Sequence, residues 1–391
     1  MSPRIVPFEA TVQTVREGYD RHTCWVQTRG AFVPPTTAVI TTQKLLLAGS
    51  DVFFGIHSLH SDDSGLTFAD PAPQAGLGRQ PYPEDPTRVQ CPCDATPAWH
   101  APSGRLLLSG HTAVYRGDAL ASPYRRRLWC SLYDLSAREW SPMQMVALPE
   151  EDCLFSAGGG CTQRLDLPDG DILMPVYGQS RHELETDAPS HHATVVRCRL
   201  RGQTLAYVDH GQALACADPR GFCEPSIAAL NERYFLTLRN DLRGYVAVST
   251  DGLNYGTPVP WRFDDGADLG NYNTQQHWLT HSDALFLVYT RRGAHNDHVF
   301  RHRAPLFMAQ VDTDRLCIVR ATERVVVPEH GARLGNFGTA AVSPEESWVI
   351  VSEWMQTTPP NPYDCTVCER YGSNNRIFIS RIRWGRPSRR P

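Results

Sequence analysis

The chain has 391 residues, of which 20% are charged and 41% are hydrophobic, and its formal net charge is −4 at pH 7. This balance excludes a disordered acidic chain and a strongly basic nucleic-acid-binding protein. Lys44 is the only lysine, so every other cationic side chain apart from the histidines is an arginine. The arginine fork binds carboxylates and phosphates well, which makes individual arginines candidates for anion binding.

No run of about 18 apolar residues is present, so we expect neither a membrane-spanning helix nor a membrane partner. The N-terminal segment contains no apolar core of a signal peptide, which predicts a cytoplasmic protein. A trimmed mature chain would instead be periplasmic or secreted. The twelve cysteines are spread along the chain, and we interpret most of them as buried thiols in a reducing compartment.

Short apolar runs beside tight polar turns recur along the chain. Each run predicts a β-hairpin, with turns centred near residues 44, 104, 169, 232, 283 and 345. A second strand pair follows each hairpin, at residues 52–68, 128–142, 193–209, 244–258, 305–320 and 377–384. Six such units predict an all-β fold, a six-bladed β-propeller with four-stranded antiparallel blades that forms a single domain over residues 1–391.

The sixth unit lacks an obvious fourth strand, and the N-terminal segment 10–15 is free to supply it. Pairing of the two termini would close the ring and remove the exposed sheet edges. Two outer turns, at residues 61–68 and 249–255, match the Asp-box pattern. In that pattern an Asp accepts backbone N–H bonds across the turn and a Gly takes a positive φ, so we interpret both turns as structural.

The longest connections predict where a functional site lies. They join the second and third strands of a unit or link consecutive units, and in a four-stranded antiparallel blade both kinds emerge on one face. These segments are 69–98, 112–127, 143–160, 178–192, 210–223, 259–275, 292–304, 329–335 and 356–376. Loops on a rigid scaffold commonly carry functional residues, so we expect a site around the central channel on this face.

The chain resembles the sialidase (neuraminidase) superfamily, in its bacterial BNR/Asp-box branch. The resemblance covers almost the whole chain and depends on the two Asp boxes, on Glu224-Pro225-Ser226-Ile227 with the strand that ends at Arg239, and on LVYTRR at 287–292. Sialidases hold a substrate carboxylate with three arginines, use a Tyr activated by Glu as nucleophile, and use an Asp as acid/base. The resemblance implies that Arg239 and Arg291 bind the anion and that Glu224 is the motif glutamate. Arg4, in a loose match to the R-I-P element, and Arg333 are competing candidates for the third arginine, and no motif identifies the Asp or the Tyr.

Polar residues at the ends of the inner strands complete the predicted site. The predicted catalytic groups are His111, Tyr177, Glu224, His277 and Glu353. The predicted substrate-binding groups are His100, Arg239, Asp241, Gln276, Tyr289, Arg291, Arg292, His298 and Arg333.

No cofactor is expected, but two sets of metal ligands remain open alternatives. One is the histidine-rich segment 295–302 with Asp297. The other combines Cys91 and Cys93 with Cys365 and Cys368, which are predicted to lie in long loops on the functional face and could form a Cys₄ zinc site.

These features favour a carbohydrate-active enzyme, a sialidase-like exo-glycosidase that hydrolyses a glycan or oligosaccharide at an acidic sugar. Two alternatives remain open. One is a uronate lyase that uses His, Tyr and Arg side chains, and the other is a propeller that binds a glycan without turnover. Nucleic acid is not an expected partner, and the sequence does not indicate an oligomeric state.

Overall fold

The computed structural model describes residues 4–47, 51–186, 190–358 and 360–389. Parts of two predicted connections, residues 187–189 and 359, lie outside the described residues, as do residues 48–50 at the end of the first predicted hairpin. The described ranges contain two short helices, α1 (Arg181–Glu185) and α2 (Thr366–Arg370), and none of their helices is long and apolar enough to cross a membrane. Single 3₁₀ turns lie at Ala75–Leu77, Ala101–Ser103, Asp152–Leu154, Phe300–His302 and Arg320–Thr322.

The first strand, β1 (Phe8–Arg16), belongs to the last sheet, and the chain then builds three antiparallel sheets in turn. The first sheet contains β2 (Thr23–Val33), β3 (Thr37–Leu46), β4 (Phe53–Ser61) and β5 (Ala72–Pro73). The second sheet contains β6 (Gln80–Tyr82), β7 (Asp85–His100), β8 (Arg105–Arg116), β9 (Ala119–Leu120), β10 (Leu128–Asp134), β11 (Glu139–Trp140) and β12 (Gln144–Met145). The third sheet contains β13 (Ser156–Gly158), β14 (Leu165–Asp166), β15 (Asp171–Gln179), β16 (His192–Arg201) and β17 (Thr204–His210).

Three further antiparallel sheets complete the fold. The fourth contains β18 (Cys223–Leu230), β19 (Arg233–Arg239), β20 (Tyr245–Ser249) and β21 (Val259–Pro260). The fifth contains β22 (His277–His281), β23 (Ala284–Tyr289), β24 (Leu306–Asp312), β25 (Cys317–Ile318) and β26 (Arg324–Val327). The last contains β27 (Gly338–Ser343), β28 (Glu346–Ser352) and β29 (Ile377–Trp384), with β1 paired antiparallel to β29 from Phe8↔Trp384 onwards. The N-terminal segment therefore supplies the fourth strand of the last sheet.

Apolar side chains fill the space between neighbouring sheets and pack these sheets against one another. Trp129 packs between the first and second sheets, and Trp278 between the fourth and fifth. Trp348 and Ile40 belong to a core that joins the last sheet to the first. The chain thus has the layout of a β-propeller with four-stranded antiparallel blades around a central channel. Six blades in a single ring stay a prediction.

The hairpin turn predicted near residue 44 is wrong. Residues 42–44 lie inside β3, and the turn falls instead at Pro34–Thr36, between β2 and β3. The polar run Thr42-Gln43-Lys44 looks like a turn, but the amide of Gln43 is buried and donates to the carbonyls of Phe54 and Pro92. The other five predicted turns lie between paired strands as expected.

The second sheet also begins earlier than predicted. Segment 69–98 was expected to be a connection, but β7 occupies residues 85–100 and pairs with β8 from Val89↔Tyr115 to His100↔Arg105. Cys91 and Cys93 are therefore buried strand residues, not loop residues. His100 lies beside the hairpin turn at the opposite end of the strand from the pair Cys93↔His111.

The two outer turns with the Ser-Asp-Gly pattern share one hydrogen-bond geometry. In the second, Oδ1 of Asp251 accepts the amides of Leu253 at 2.8 Å and Asn254 at 2.7 Å. Gly252, at φ +78°, donates its amide to Oγ of Ser249. Burial alone would raise the pKa of Asp251, but the side-chain amide of Asn254, which donates to Oδ2, and the two backbone amides lower it below its usual range.

Replacing Asp251 with alanine is expected to lower the free energy of unfolding by about 1–2 kcal/mol, because two amides of the turn lose their acceptor. Chemical denaturation of the variant and of wild type measures this difference. Asp70→Ala is the control, since Asp70 is 90% exposed and forms only a surface ion pair with Arg16. Equal losses in both variants would contradict a structural role for the Asp251 turn.

Candidate functional site

A cavity of about 220 Å³ lies at the loop-bearing end of the channel, lined by residues from several of the sheets and by the connections between them. Its wall contains six arginines, three carboxylates, two tyrosines and one histidine. These residues are Asp51, Asp94, His111, Tyr124, Arg126, Tyr177, Arg220, Glu224, Arg239, Arg301, Arg303 and Arg333. The density of titratable groups makes this cavity the candidate functional site.

A larger cavity, of about 750 Å³, opens among mainly apolar residues such as Phe32, Pro34 and Trp99. Its two arginines are already ion-paired, Arg164 with Asp166 at 2.8 Å and Arg381 with Glu346 at 2.8 Å. It therefore offers less unpaired charge to a polar ligand than the smaller cavity does.

One arginine of the candidate site, Arg239, has carboxylates as counter-ions. Arg239 is buried at the end of β19 and ion-pairs through Nη1 with Glu224, while its Nη2 lies 3.3 Å from Asp241. Burial alone would lower the pKa of Arg239, but the carboxylate of Glu224 raises it. Glu224 has φ +46° at the register break between Cys223 and Ser226, which turns its side chain out of the regular ladder.

Other arginines of the cavity lack such compensation. No carboxylate of the described residues lies within 4 Å of the guanidinium groups of Arg126, Arg301, Arg303 or Arg333, and the last two are each only 4% exposed. Arg303 donates to Asn273, and Arg333 stacks 3.4 Å from the ring of Trp354. A buried cation without a counter-ion lowers the stability of the folded protein. The cavity therefore has more positive than negative groups and would gain from a bound anion.

The pKa shifts of these arginines have the same cause. Burial lowers the pKa of Arg303, and the neighbouring cations of Arg333 and Arg239 lower it further. Burial lowers the pKa of Arg333 to about 9, where the cation of Arg301 adds to the effect and the carboxylate of Asp51 opposes it. A bound anion would offset the repulsion between these cations and would accept hydrogen bonds from their unpaired N–H groups.

The opposite wall carries aromatic and imidazole groups. The ring of Tyr177 lies 5.8 Å from His111 and 6.0 Å from His191, and the guanidinium of Arg126 lies 5.7 Å above it. Arg126 Nη1 donates to Nε2 of His191 at 2.9 Å. Burial raises the pKa of Tyr177 and lowers that of His111, so both side chains are neutral at pH 7. A Cβ on Gly160 would lie 2.3 Å from Nδ1 of His111, so this wall requires glycine there.

The structure brings five of the predicted site residues to the cavity: His111, Tyr177, Glu224, Arg239 and Arg333. Asp241 lies beside them, 3.8 Å from Arg220. Their proposed roles stay predictions.

Three predicted residues of the fifth sheet lie outside the cavity. Arg291 donates to Glu323 through Nε at 2.9 Å and Nη2 at 2.7 Å, and the hydroxyl of Tyr289 donates to the same carboxylate. Arg292 lies 4.4 Å over the ring of Tyr272. The sequence predicted their strand correctly but not their counter-ions. Arg301 and Arg303, on the connection that follows this strand, line the cavity instead.

Two predicted residues are buried in the channel wall and one forms part of a loop anchor. Gln276 accepts from Oγ1 of Thr237 at 2.7 Å, and Nδ1 of His277 lies 2.8 Å from Oγ of Ser226. Glu353 is 1% exposed, and its carboxylate accepts the amides of Asn374 and Arg376.

Two predicted histidines also lie elsewhere. His298 Nε2 lies 3.1 Å from Glu329, and its ring stacks on Tyr371. His100 Nδ1 lies 2.6 Å from Oγ of Ser103. The cavity is lined neither by these two histidines nor by the three residues of the preceding paragraph, Gln276, His277 and Glu353.

Neither predicted set of metal ligands comes together within the described part of the chain. His302 Nε2 lies 3.1 Å from Asp297 while its Nδ1 lies close to the hydroxyl of Tyr272. Cys91 donates to the carbonyl of Phe54, whereas Cys365 donates to that of Met355. All twelve cysteines are free thiols.

Asp51 and Asp94 line the cavity although the sequence did not identify them. Asp51 lies in the connection between β3 and β4. Because the hairpin turn was predicted near residue 44, this connection was not recognised. The turn residues Pro34-Pro35 are the signal that would have revealed it. Asp94 lies within β7, where segment 69–98 was expected to be a loop, and burial raises its pKa to about 6.

No family model matches the sequence, and no curated protein is detectably similar to it. Solved structures, however, share its fold. A protein of unknown function from Dyadobacter fermentans is 14% identical over 95% of this chain and 99% of its own, with a TM-score of 0.63. The Hadza microbial sialidase Hz136 is 11% identical over 95% of this chain and 68% of its own, with a TM-score of 0.63. Trypanosoma rangeli sialidase is 11% identical over 96% of this chain and 59% of its own, with a TM-score of 0.60. At these identities the likeness shows the fold alone: the chain has a sialidase-like β-propeller architecture.

Proposed function

We propose that the protein is a sialidase-like glycoside hydrolase that binds an acidic sugar in the 220 Å³ cavity. The observation that carries the proposal is the excess of cations, since Arg301, Arg303 and Arg333 have no carboxylate within 4 Å in the described ranges. Arginine forks bind a carboxylate bidentately, and a desolvated site strengthens that contact. The sialidase-like architecture supports the same class of substrate. We further propose that the six sheets form six blades of one ring.

The cavity also contains groups for the hydrolytic step. Asp51 and Glu224 are carboxylates that line it, and Tyr177 offers a phenol in the same cavity. Hydrolysis of a glycosidic bond needs one group to protonate the leaving oxygen and one to stabilise or attack the anomeric carbon, and sialidases use tyrosine for the latter. Arg239 fixes the position of the Glu224 carboxylate through their ion pair. We assign Asp51, Tyr177 and Glu224 to the reacting centre, and we assign the arginine cluster to binding of the sugar carboxylate.

A uronate lyase is a second candidate, because Arg126, His111, His191 and Tyr177 lie together on one wall. Elimination needs a base for the C5 proton, an acid for the leaving oxygen and a cation at the carboxylate. Imidazole, phenol and guanidinium groups supply these functions.

A turnover screen tests the proposal. Sialosides, uronate-containing oligosaccharides and neutral aryl-glycosides are incubated with the protein, and the products are analysed by mass and ultraviolet absorbance. We expect a saturated acidic sugar from the first or second class and no turnover of the neutral substrates. An ultraviolet-absorbing unsaturated product would indicate the lyase. Binding of an acidic glycan without any product would contradict both enzymatic candidates.

Two arginines of the same chain segment provide a matched pair of variants. Arg301→Ala removes an exposed cavity arginine and is expected to lower kcat/KM by about 10–100-fold, a loss typical of one charged contact to a substrate. Arg292→Ala removes an arginine that lies over Tyr272 outside the cavity, and we expect less than a twofold change. A larger loss in Arg292→Ala than in Arg301→Ala would place the anion site elsewhere.

A further inference from the structure

Three metal-binding side chains converge on one wall of the cavity. Cys93 on β7 lies directly opposite His111 on β8, so their side chains emerge on the same face of the sheet. The register breaks immediately after Cys93, and Asp94 has φ +54°. A bulge of this kind redirects a side chain that regular alternation would place on the other face. The thiol sulfur, a carboxylate oxygen of Asp94 and an imidazole nitrogen all lie within 4.8 Å of one another.

One potential ligand atom has no hydrogen-bond partner among the described residues. Oδ1 of Asp94 is buried without a hydrogen bond, and His111, whose Nε2 faces Asp94, is only 4% exposed. Buried polar atoms are nearly always satisfied, and an ion is one of the ordinary reasons for an exception. Nε2 of His111 lies 3.4 Å from Oδ2 of Asp94, so the imidazole already faces the carboxylate.

The surroundings fix these ligands in place. The backbone of Gly158 and Gly160 packs directly against His111, which restricts the orientation of its ring. The amide of Cys161 donates to the carbonyl of Asp94 at 2.9 Å, which anchors the bulge. Such support around the ligands is typical of metal sites.

We propose that Cys93, Asp94 and His111 bind a zinc ion on the cavity wall. Thiolate, imidazole and carboxylate are the ligands that zinc prefers, and three protein ligands with one open position are typical of zinc sites that contact a substrate. All three residues line the cavity, so an ion held by them would be accessible from it. Binding replaces the thiol proton of Cys93, which is released to solvent, and no oxidation is involved.

A zinc ion held by one thiolate and one carboxylate forms a neutral unit beside Arg126. Because the Cys93 thiol releases its proton, zinc binding raises the net charge of the cluster by one and not by two. The inference is independent of the reaction proposed above, since it depends only on the β7–β8 pair.

Metal analysis of the purified, untagged protein tests the proposal. We expect about one zinc per chain in wild type, measured by mass spectrometry of the metal, and loss of that zinc in Cys93→Ser. Cobalt(II) loaded in place of zinc is expected to give a thiolate-to-cobalt charge-transfer band that Cys93→Ser also lacks. Cys91→Ser is the matched control, because Cys91 is equally buried on the same strand but outside the cluster, and it is expected to retain both the zinc and the band.

A second variant locates the ion. Glu151, Cys153 and His210 form another group of possible ligands on a more exposed part of the third sheet. Cys153→Ser is expected to keep zinc. Zinc lost only in Cys153→Ser, zinc retained in Cys93→Ser, or wild type that binds neither zinc nor cobalt after exposure to either metal would each overturn the proposal. Circular dichroism of Cys93→Ser shows whether a loss of zinc reflects unfolding instead; in that case His111→Gln provides the same test.

Discussion

Replacing Arg333 with methionine is expected to abolish most of the activity while leaving the protein as stable as wild type or more stable. Arg333 is 4% exposed, its Nε has no partner, and its guanidinium stacks on Trp354. Its pKa in the folded protein, about 9, lies below that of arginine in an unfolded chain. Protonated Arg333 therefore costs stability at every pH below about 9, and a methionine of similar length removes that cost.

The expected gain in the free energy of unfolding is between zero and about 4 kcal/mol, the range seen when buried charges are replaced by apolar side chains. The expected loss in kcat/KM, or in affinity for the acidic sugar, is about 30-fold or more, which corresponds to at least about 2 kcal/mol. Denaturation and kinetic measurements on the same preparation give both quantities.

Arg291→Met is expected to behave in the opposite way. Arg291 ion-pairs with Glu323 outside the cavity, and its removal leaves that carboxylate with only the hydroxyl of Tyr289. We expect a loss of about 1–2 kcal/mol in stability, discounted for partial exposure, and unchanged kcat/KM. If Arg333→Met kept full activity, or if both arginines showed the same pattern, the anion site proposed for the arginine cluster would be wrong.

The contrast between these two arginines shows which part of the site can be predicted from the sequence. Arg291 follows the strand β23 and Arg333 precedes the strand β27. The sequence indicates both equally well as candidates for anion binding. The difference is the counter-ion, because Glu323 lies 32 residues from Arg291 in the chain and reaches it only through the pairing of the fifth sheet. Contacts of that range depend on the tertiary structure and leave no local pattern.

The strands themselves were easier to predict because their signals are local. Tight turns such as the one at Gly104, with φ +61°, separate alternating apolar runs, and five of the six hairpins were placed correctly. The exception is instructive. The buried side-chain NH2 group of Gln43 donates to carbonyls of two other strands, so a polar run that looks like a turn lies in the middle of β3. The bulge that redirects Asp94 is equally invisible in the sequence, because it inserts residues without a characteristic motif.

Replacing Arg29 with methionine is expected to lower the free energy of unfolding by about 3–5 kcal/mol, the largest stability effect that we predict. Arg29 on β2 is 0% exposed in the centre of the ring. Its guanidinium donates to the carbonyl of Phe337 at 3.1 Å, that of Ala95 at 3.3 Å, Oε1 of Gln275 at 2.8 Å and Sγ of Cys161 at 3.0 Å. One side chain thus joins β2 to groups of the second, third, fifth and last sheets.

Methionine fills much of the same volume but leaves the carbonyl of Ala95 and Oε1 of Gln275 without this donor in the interior, where each unsatisfied acceptor costs about 1–3 kcal/mol. The carbonyl of Phe337 keeps the side-chain amide of Gln275 as a donor. Arg29→Lys keeps the charge but cannot reproduce the fork, so we expect an intermediate loss. Arg201→Met, an exposed substitution at the end of β16, is expected to change stability by less than about 0.5 kcal/mol. Urea denaturation of the three variants ranks them. Arg29→Met within about 1 kcal/mol of wild type would show that the apolar cores between the sheets, and not this buried arginine, hold the centre of the ring together.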